Sequence, residues 1–274
     1  MRRRDDSPAR PDPVLAPPAV APEAYDESYY RSVCGGSDDW SRSDGRRMAG
    51  VYRAMLGIAE FRPNEAVVDI GTGRGELPVT AVLAGARHAI GVEYSPDAIR
   101  LAQRTAAAHG VTDRVDFVLA DARAIPLPDG CADLVTMLDV VEHLRPDELD
   151  DVLAEVGRLL RPGGRLLVHT FPTATIYDVT YRWLRRLAVR RRWPADPRND
   201  FERRMHVNEQ SVRSLAKTLR RAGFVDVRAW LGDWVHVQHL PARWARVTVR
   251  ALSHVPLARA LARANVLALA RRAP

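Results

Sequence analysis

The sequence is short of cysteine, nearly without lysine and free of long apolar runs, and each shortage closes off a class of protein. Its two cysteines, Cys34 and Cys131, match neither a disulfide framework nor the paired spacing of a metal motif, so a reducing cytoplasm is the expected compartment. No stretch approaches the roughly 18 apolar residues that a membrane span needs. The N-terminus, MRRRDDSPARPDPVLAPPAVAPE, has arginines but lacks the apolar core of a signal peptide. Lys217 is the single lysine, so the formal net charge of +7 is carried by arginine.

What is present suits one sizeable α/β domain with additions: 274 residues, 46% of them hydrophobic. Prolines and small residues predict a disordered leader over 1–23. The charge is unevenly spread. Residues 1–50 carry 8 basic and 9 acidic side chains, 51–170 carry 12 and 18, and 178–274 carry 21 and 7. A basic final third suits a phosphate-bearing substrate, an anionic membrane surface or nucleic acid.

The segment VVDIGTGRGE carries the strongest local signal. An apolar run over Ala66–Ile70 reads as a buried strand; Gly71, Gly73 and Gly75 follow as a tight turn, and a helix opens at Glu76. Dinucleotides and the sulfonium nucleoside S-adenosylmethionine (SAM) are the two ligand classes that use such a loop. The dinucleotide fingerprint is G-x-G-x-x-G, whereas here G-x-G-x-G runs straight into an acid, which suits a pyrophosphate less well. The ammonium and sulfonium of SAM make acidic neighbours such as Asp69 favourable.

Downstream, strands expected at Ala66–Ile70, His88–Glu93, Val115–Leu119, Asp133–Leu138 and Arg165–His169 alternate with helices near Glu76–Ala84, Pro96–His109 and Pro146–Leu160. A helix capped near Asn208 and stopped by Gly223 precedes a strand from Phe224 to about Leu231. NVLALARR reads as a last strand, with a single amphipathic helix over LARALARANVLALARR as the alternative.

VDIGTGRGE, GVEYS, LADARAIPLPDGCADLVTMLDVVEHL, LRPGGRLLVHTFP and the helix ending in AGF, in that order and spacing, resemble the class I SAM-dependent methyltransferases of small-molecule type, over roughly Tyr25 to the C-terminus. The resemblance implies a Rossmann-like, doubly wound, seven-stranded and mostly parallel α/β sheet with an antiparallel last strand. It also implies an N-terminal helical cover over 24–62 and a catalytic domain over 63–274, with cover insertions at about 173–206 and 233–263.

It further implies the cofactor contacts. Asp69, Gly71, Thr72, Gly73 and Gly75 form the loop, Glu93 takes the ribose hydroxyls, Tyr94 lies against adenine, Asp121 and Ala122 meet its amino edge, and Leu138 and Asp139 flank the methionine portion. A carboxylate offers two acceptor oxygens for a diol, and ligands of open α/β sheets bind beyond the carboxyl ends of the strands.

At the acceptor end His143, in LDVVEHL, is the candidate general base, titrating near neutrality if unperturbed. Packing in the loop is the competing role, and a metal held by Asp139, Glu142 and His143 a third; the expected metal count is none. Tyr25, Tyr30, His206, Trp234 and His236 are candidate substrate contacts.

No Asn/Asp-Pro-Pro-aromatic or Pro-Cys signature follows the fourth strand, which makes nucleic acid an unfavoured partner. Apolar Ile176, Val179, Trp183 and Leu187 at helical spacing, among arginines, suggest an acceptor with an anionic and a flat or lipid-like part, peripheral contact with an anionic membrane, or simply a solvated arginine face packed on the sheet. The expected function is cytoplasmic SAM-dependent methylation of a small molecule in secondary or cell-envelope metabolism. RNA methylation and non-catalytic SAM binding in a regulator are the alternatives.

Overall fold

A computed structural model describes residues 15–171, 200–232 and 265–274, with 196, 198, 247, 251 and 255. Three short helices come first, α1 (Glu27–Ser32), α2 (Ser37–Ser43) and α3 (Val51–Ile58). Then follow β1 (Ala66–Ile70), α4 (Glu76–Leu83), β2 (His88–Glu93), α5 (Pro96–Ala108), β3 (Val115–Leu119), β4 (Ala132–Leu138), α6 (Pro146–Leu159) and β5 (Leu160–Thr170). The described elements end with α7 (Asp200–Met205), α8 (Val212–Arg221), β6 (Phe224–Gly232) and β7 (Asn265–Arg272).

The seven strands lie in the order β3-β2-β1-β4-β5-β7-β6. The β1–β2, β1–β4, β2–β3 and β4–β5 pairs are parallel, while β7 runs antiparallel to both β5 and β6. This is the expected Rossmann-like topology. NVLALARR is the strand rather than the end of a helix, because its alternating side chains are buried on both faces between β5 and β6.

Both faces of the sheet are covered, which is why its strands read as unbroken apolar runs. Adjacent Val67 and Val68 point to opposite sides. Val67 packs with Met55 and Leu56 of α3 and with Leu77 and Val79 of α4, and Val68 with Leu149, Val152 and Leu153 of α6 and Leu215 of α8. The α5 N-terminus forms as its sequence predicts: the Ser95 hydroxyl accepts from the Ala98 amide, and Pro96 fills the first helical position.

Three boundaries differ from expectation. β5 starts at Leu160 rather than Arg165, since the RPGG segment stays in the strand. α8 starts at Val212, because Ser211, not Asn208, accepts the capping bond from the Ser214 amide. Within the expected disordered leader, residues 15–23 lie against the domain: Val20 is buried and the Ala19 amide donates to Glu148 Oε1 at 2.8 Å. Ile176, Val179, Trp183, Leu187, Trp234 and His236 fall outside the described residues.

Candidate active site

The carboxyl ends of β1, β2, β4 and β5 open into one cavity of about 1380 Å³, roofed by the N-terminal segment. That exceeds the roughly 300–1,000 Å³ of a pocket for one small ligand, so there is room for two. All eleven expected cofactor positions except Gly75 line it.

The glycine loop is built by steric necessity. Gly71 has φ +69°, and a Cβ there would sit 2.5 Å from Val140 Cγ2. Gly75 has φ +71° and would place a Cβ 2.7 Å from Phe117 and 2.8 Å from Ala102, so its role is to let α4 close on β3 and α5. Above the loop the Tyr30 ring lies over Gly73.

Three carboxylates surround this loop. Asp69 is buried, accepting from Thr72 Oγ1 at 2.8 Å and Thr136 Oγ1 at 2.6 Å; burial pushes its carboxyl up to about 7. Glu93 Oε2 accepts from the Gly73 amide at 3.0 Å, and Oε1 accepts from the Tyr94 and Ser95 amides at 2.8 and 3.1 Å. Burial raises Glu93 even against those amides. Glu76, in the first turn of α4, is also raised by burial, against the pull of Arg74.

This arrangement tests the cofactor directly. A pyrophosphate wants free amides and no acid at the helix N-terminus. Here the Gly71 and Thr72 amides are spent on Val92 O, the Gly73 amide on Glu93, and a buried carboxylate occupies the first turn. A cationic nucleoside fits that lining.

Just beyond β3, Asp121 accepts from the Arg123 amide at 2.9 Å and from its guanidinium at 3.0 and 2.7 Å. Burial would raise Asp121, but the Arg123 bonds more than reverse it and hold the carboxyl low. Tyr94 packs beside Tyr25, ring centroids 5.6 Å apart.

Sequence reasoning missed Arg74, the residue between the last two glycines of GTGRG. It is buried, and donates to Tyr30 O at 2.6 Å, Gly35 O at 2.5 Å and Glu76 Oε2 at 2.6 Å. One guanidinium thereby fastens the N-terminal roof to the loop. Further bonds extend the seam: Ser95 Oγ donates to Tyr25 O at 2.6 Å, Tyr94 Oη to Val20 O at 3.3 Å, and the Glu27 amide to Asp97 at 2.9 Å. Nothing in one sequence marks an arginine in a glycine loop as buried.

At the other end of the cavity, Asp139 follows β4 with φ +55°. Its Oδ1 meets Nδ1 of the buried His169 at 2.9 Å, an imidazole that burial lowers and Asp139 raises further, to a net rise. Burial and Asp139 together push Glu142 well above the ordinary carboxyl range. His143 Nδ1 faces Met205 O at 3.0 Å, its ring standing edge-on to Tyr25 at 5.8 Å and to His206 at 5.1 Å. The structure therefore brings Tyr25, Tyr30, His143 and His206 to one cavity. It changes one expectation: burial, then His206, push the His143 imidazole down to about 4, so it stays neutral at physiological pH.

Comparison with known proteins agrees with this geometry. A family described as a methyltransferase domain matches residues 67–164. Over residues 67–164 the chain is thus similar to a methyltransferase domain. The chain is 34% identical over 117 residues to 27-O-demethylrifamycin SV methyltransferase of Amycolatopsis mediterranei, covering 43% of this chain and 42% of that protein. It is 33% identical over 121 residues to demethylmenaquinone methyltransferase of Thermus thermophilus, covering 44% and 53%. The chain thus spans about half the length of the curated relatives it matches.

In fold, the chain resembles phosphoethanolamine N-methyltransferase 2 of Haemonchus contortus, solved with SAM (TM-score 0.59, 14% identity, 91% of this chain and 60% of that one). It also resembles the [4+2]-cyclase SpnF (TM-score 0.54, 18% identity, 81% and 80%). A cyclase in that company makes the point that this fold alone does not name a reaction.

Proposed function

We propose that this chain transfers a methyl group from SAM to a small-molecule acceptor. The observation that carries the reading is that the glycine loop, Glu93 and the Asp139–Glu142–His143 segment share one cavity too large for a single ligand. The sulfonium supplies an electrophilic methyl carbon; the chain's own task is to bind, orient and exclude water. Glu93 would hold the ribose diol, Tyr94 the adenine face, Asp121 and Ala122 its amino edge, and Asp69, Leu138 and Asp139 the methionine end. His143, with a proton on Nδ1 for Met205 O, keeps a lone pair on Nε2. A neutral imidazole of this kind orients an acceptor's hydroxyl proton and is a weak store for it.

The relatives are named for demethylrifamycin SV and demethylmenaquinone, which supports a small acceptor over RNA. The arginine excess over 178–274 supports an anionic part in that acceptor. Among the described residues no helix is long and apolar enough to cross a membrane. Isothermal titration of the purified chain with SAM and with NADH tests the reading: heat is expected for SAM alone. Heat for NADH and none for SAM would overturn it.

A further inference from the structure

Glu142, His143 and His206 come together although α6, β5 and α7 separate them in the chain. One potential ligand atom from each lies within 4.8 Å of the others. We propose that these three side chains hold a divalent transition-metal ion at the acceptor end of the cavity.

The surroundings prepare each side chain as a ligand. Met205 O is an acceptor only, so His143 Nδ1 must carry the proton and its Nε2 presents a lone pair. A metal-bound histidine usually donates its other ring N–H to a carbonyl in this way, which fixes tautomer and ring orientation. Thr170 Oγ1 donates to Glu142 Oε2 at 2.9 Å, steering the carboxylate. The main-chain O of Glu142 accepts from the Val207 and Asn208 amides at 2.8 and 3.0 Å. Those two bonds and the Met205 contact fasten the 205–208 segment to 142–143, so His206 is set beside the pair by backbone and does not depend on its own rotamer alone.

Charge supplies a second argument. Glu142 is 1% exposed and, among the described residues, pairs with no arginine or lysine, while Asp139 is close by. An isolated carboxylate in such a place is costly, and a divalent cation would compensate it. Two imidazoles and one carboxylate, with no sulfur, suit zinc, cobalt, nickel or ferrous iron better than magnesium or calcium. Ligands at about 2.0–2.2 Å from an ion require the three atoms to draw in slightly, and leave further coordination positions for solvent or an acceptor oxygen. With the one free lone pair of His143 on the ion, the ion would replace the direct contact of that imidazole with an acceptor hydroxyl, and would lower the pKa of the hydroxyl it bound. The metal site itself is independent of the methyl-transfer reading; only that use of the ion rests on it.

The test is titration of the chelator-stripped full chain with Co(II), followed by visible absorption and calorimetry. One equivalent is expected to bind with d–d bands of a nitrogen and oxygen site. His206→Ala and Glu142→Gln should each weaken binding by more than about tenfold, by analogy with the cost of perturbing a ligand's support. His88→Ala, removing a partly buried histidine on β2 that does not line the cavity, should leave it unchanged. S-adenosylhomocysteine affinity, measured on every variant, reports that the fold is intact and fails separately if the cofactor reading is wrong. Absence of stoichiometric Co(II) binding by the parent chain would overturn the proposal, as would parent-like binding by folded His206→Ala. Should His206→Ala not fold, His206→Gln is read in the same way.

Discussion

The Glu93 carboxylate accepts the Gly73 amide at 3.0 Å, joining the end of β2 to a loop twenty residues earlier. Glu93 is therefore both part of the loop's scaffold and the acid that faces the cavity. Glu93→Gln keeps the size but loses the charge-assisted bonds. A hydrogen bond to a charged group contributes roughly 1.5–3 kcal/mol, so S-adenosylhomocysteine affinity should fall roughly 10- to 100-fold by calorimetry. Unchanged affinity would remove Glu93 from the cofactor site.

Two glycines separate steric need from accident. Gly71→Ala drives a Cβ to 2.5 Å from Val140 at positive φ, and should cost about 1–3 kcal/mol in denaturant unfolding. Gly157, inside α6, has nothing within 4 Å of an added Cβ. Gly157→Ala should instead stabilise by about 0.5–1 kcal/mol.

Arg74 is predicted to control the roof. Arg74→Ala removes the ties to Tyr30 O and Gly35 O, so hydrogen exchange over 27–43 should quicken while the sheet keeps its protection. It also strands Glu76 as a buried, uncompensated charge, a loss of about 3–5 kcal/mol. Adding Glu76→Gln should recover part of that loss, and no recovery would mean the pair is not coupled.

Asp69 gives stability a pH dependence of unusual sign for a carboxylate. Its folded value, about 7, lies above the ordinary 3.8, so between these the folded chain holds a proton that the unfolded chain has lost. The contribution is greatest at acid pH and is lost as pH rises through about 7. Parent minus Asp69→Asn stability, followed by chemical denaturation, should fall across that window and then level. A flat difference would show that Asp69 is ionised throughout.

The sheet was legible because its signals are local: VVDI, GVE and LVTML are apolar runs bounded by turn residues, and Ser95–Pro96 marks a helix start. The lining of the cavity was legible where a motif holds it, as at Gly71 and Glu93. What escaped depends on contacts made across long separations. Arg74 is buried only because residues 30–35 fold over it, and His206 meets His143 only because the Glu142 carbonyl captures the Val207 amide. The neutrality of His143 likewise comes from burial, which residue identity cannot convey.

β7 enters the sheet between β5 and β6, yet it is made last of the seven. As the polypeptide leaves the ribosome, β5 must therefore wait with a bare hydrogen-bonding edge through the synthesis of everything from Phe171 to Ala264. Until Asn265–Arg272 is made, the neighbour that β5 has in the finished sheet does not exist, so yield in a cell should depend on chaperone supply as well as on the stability of the finished fold.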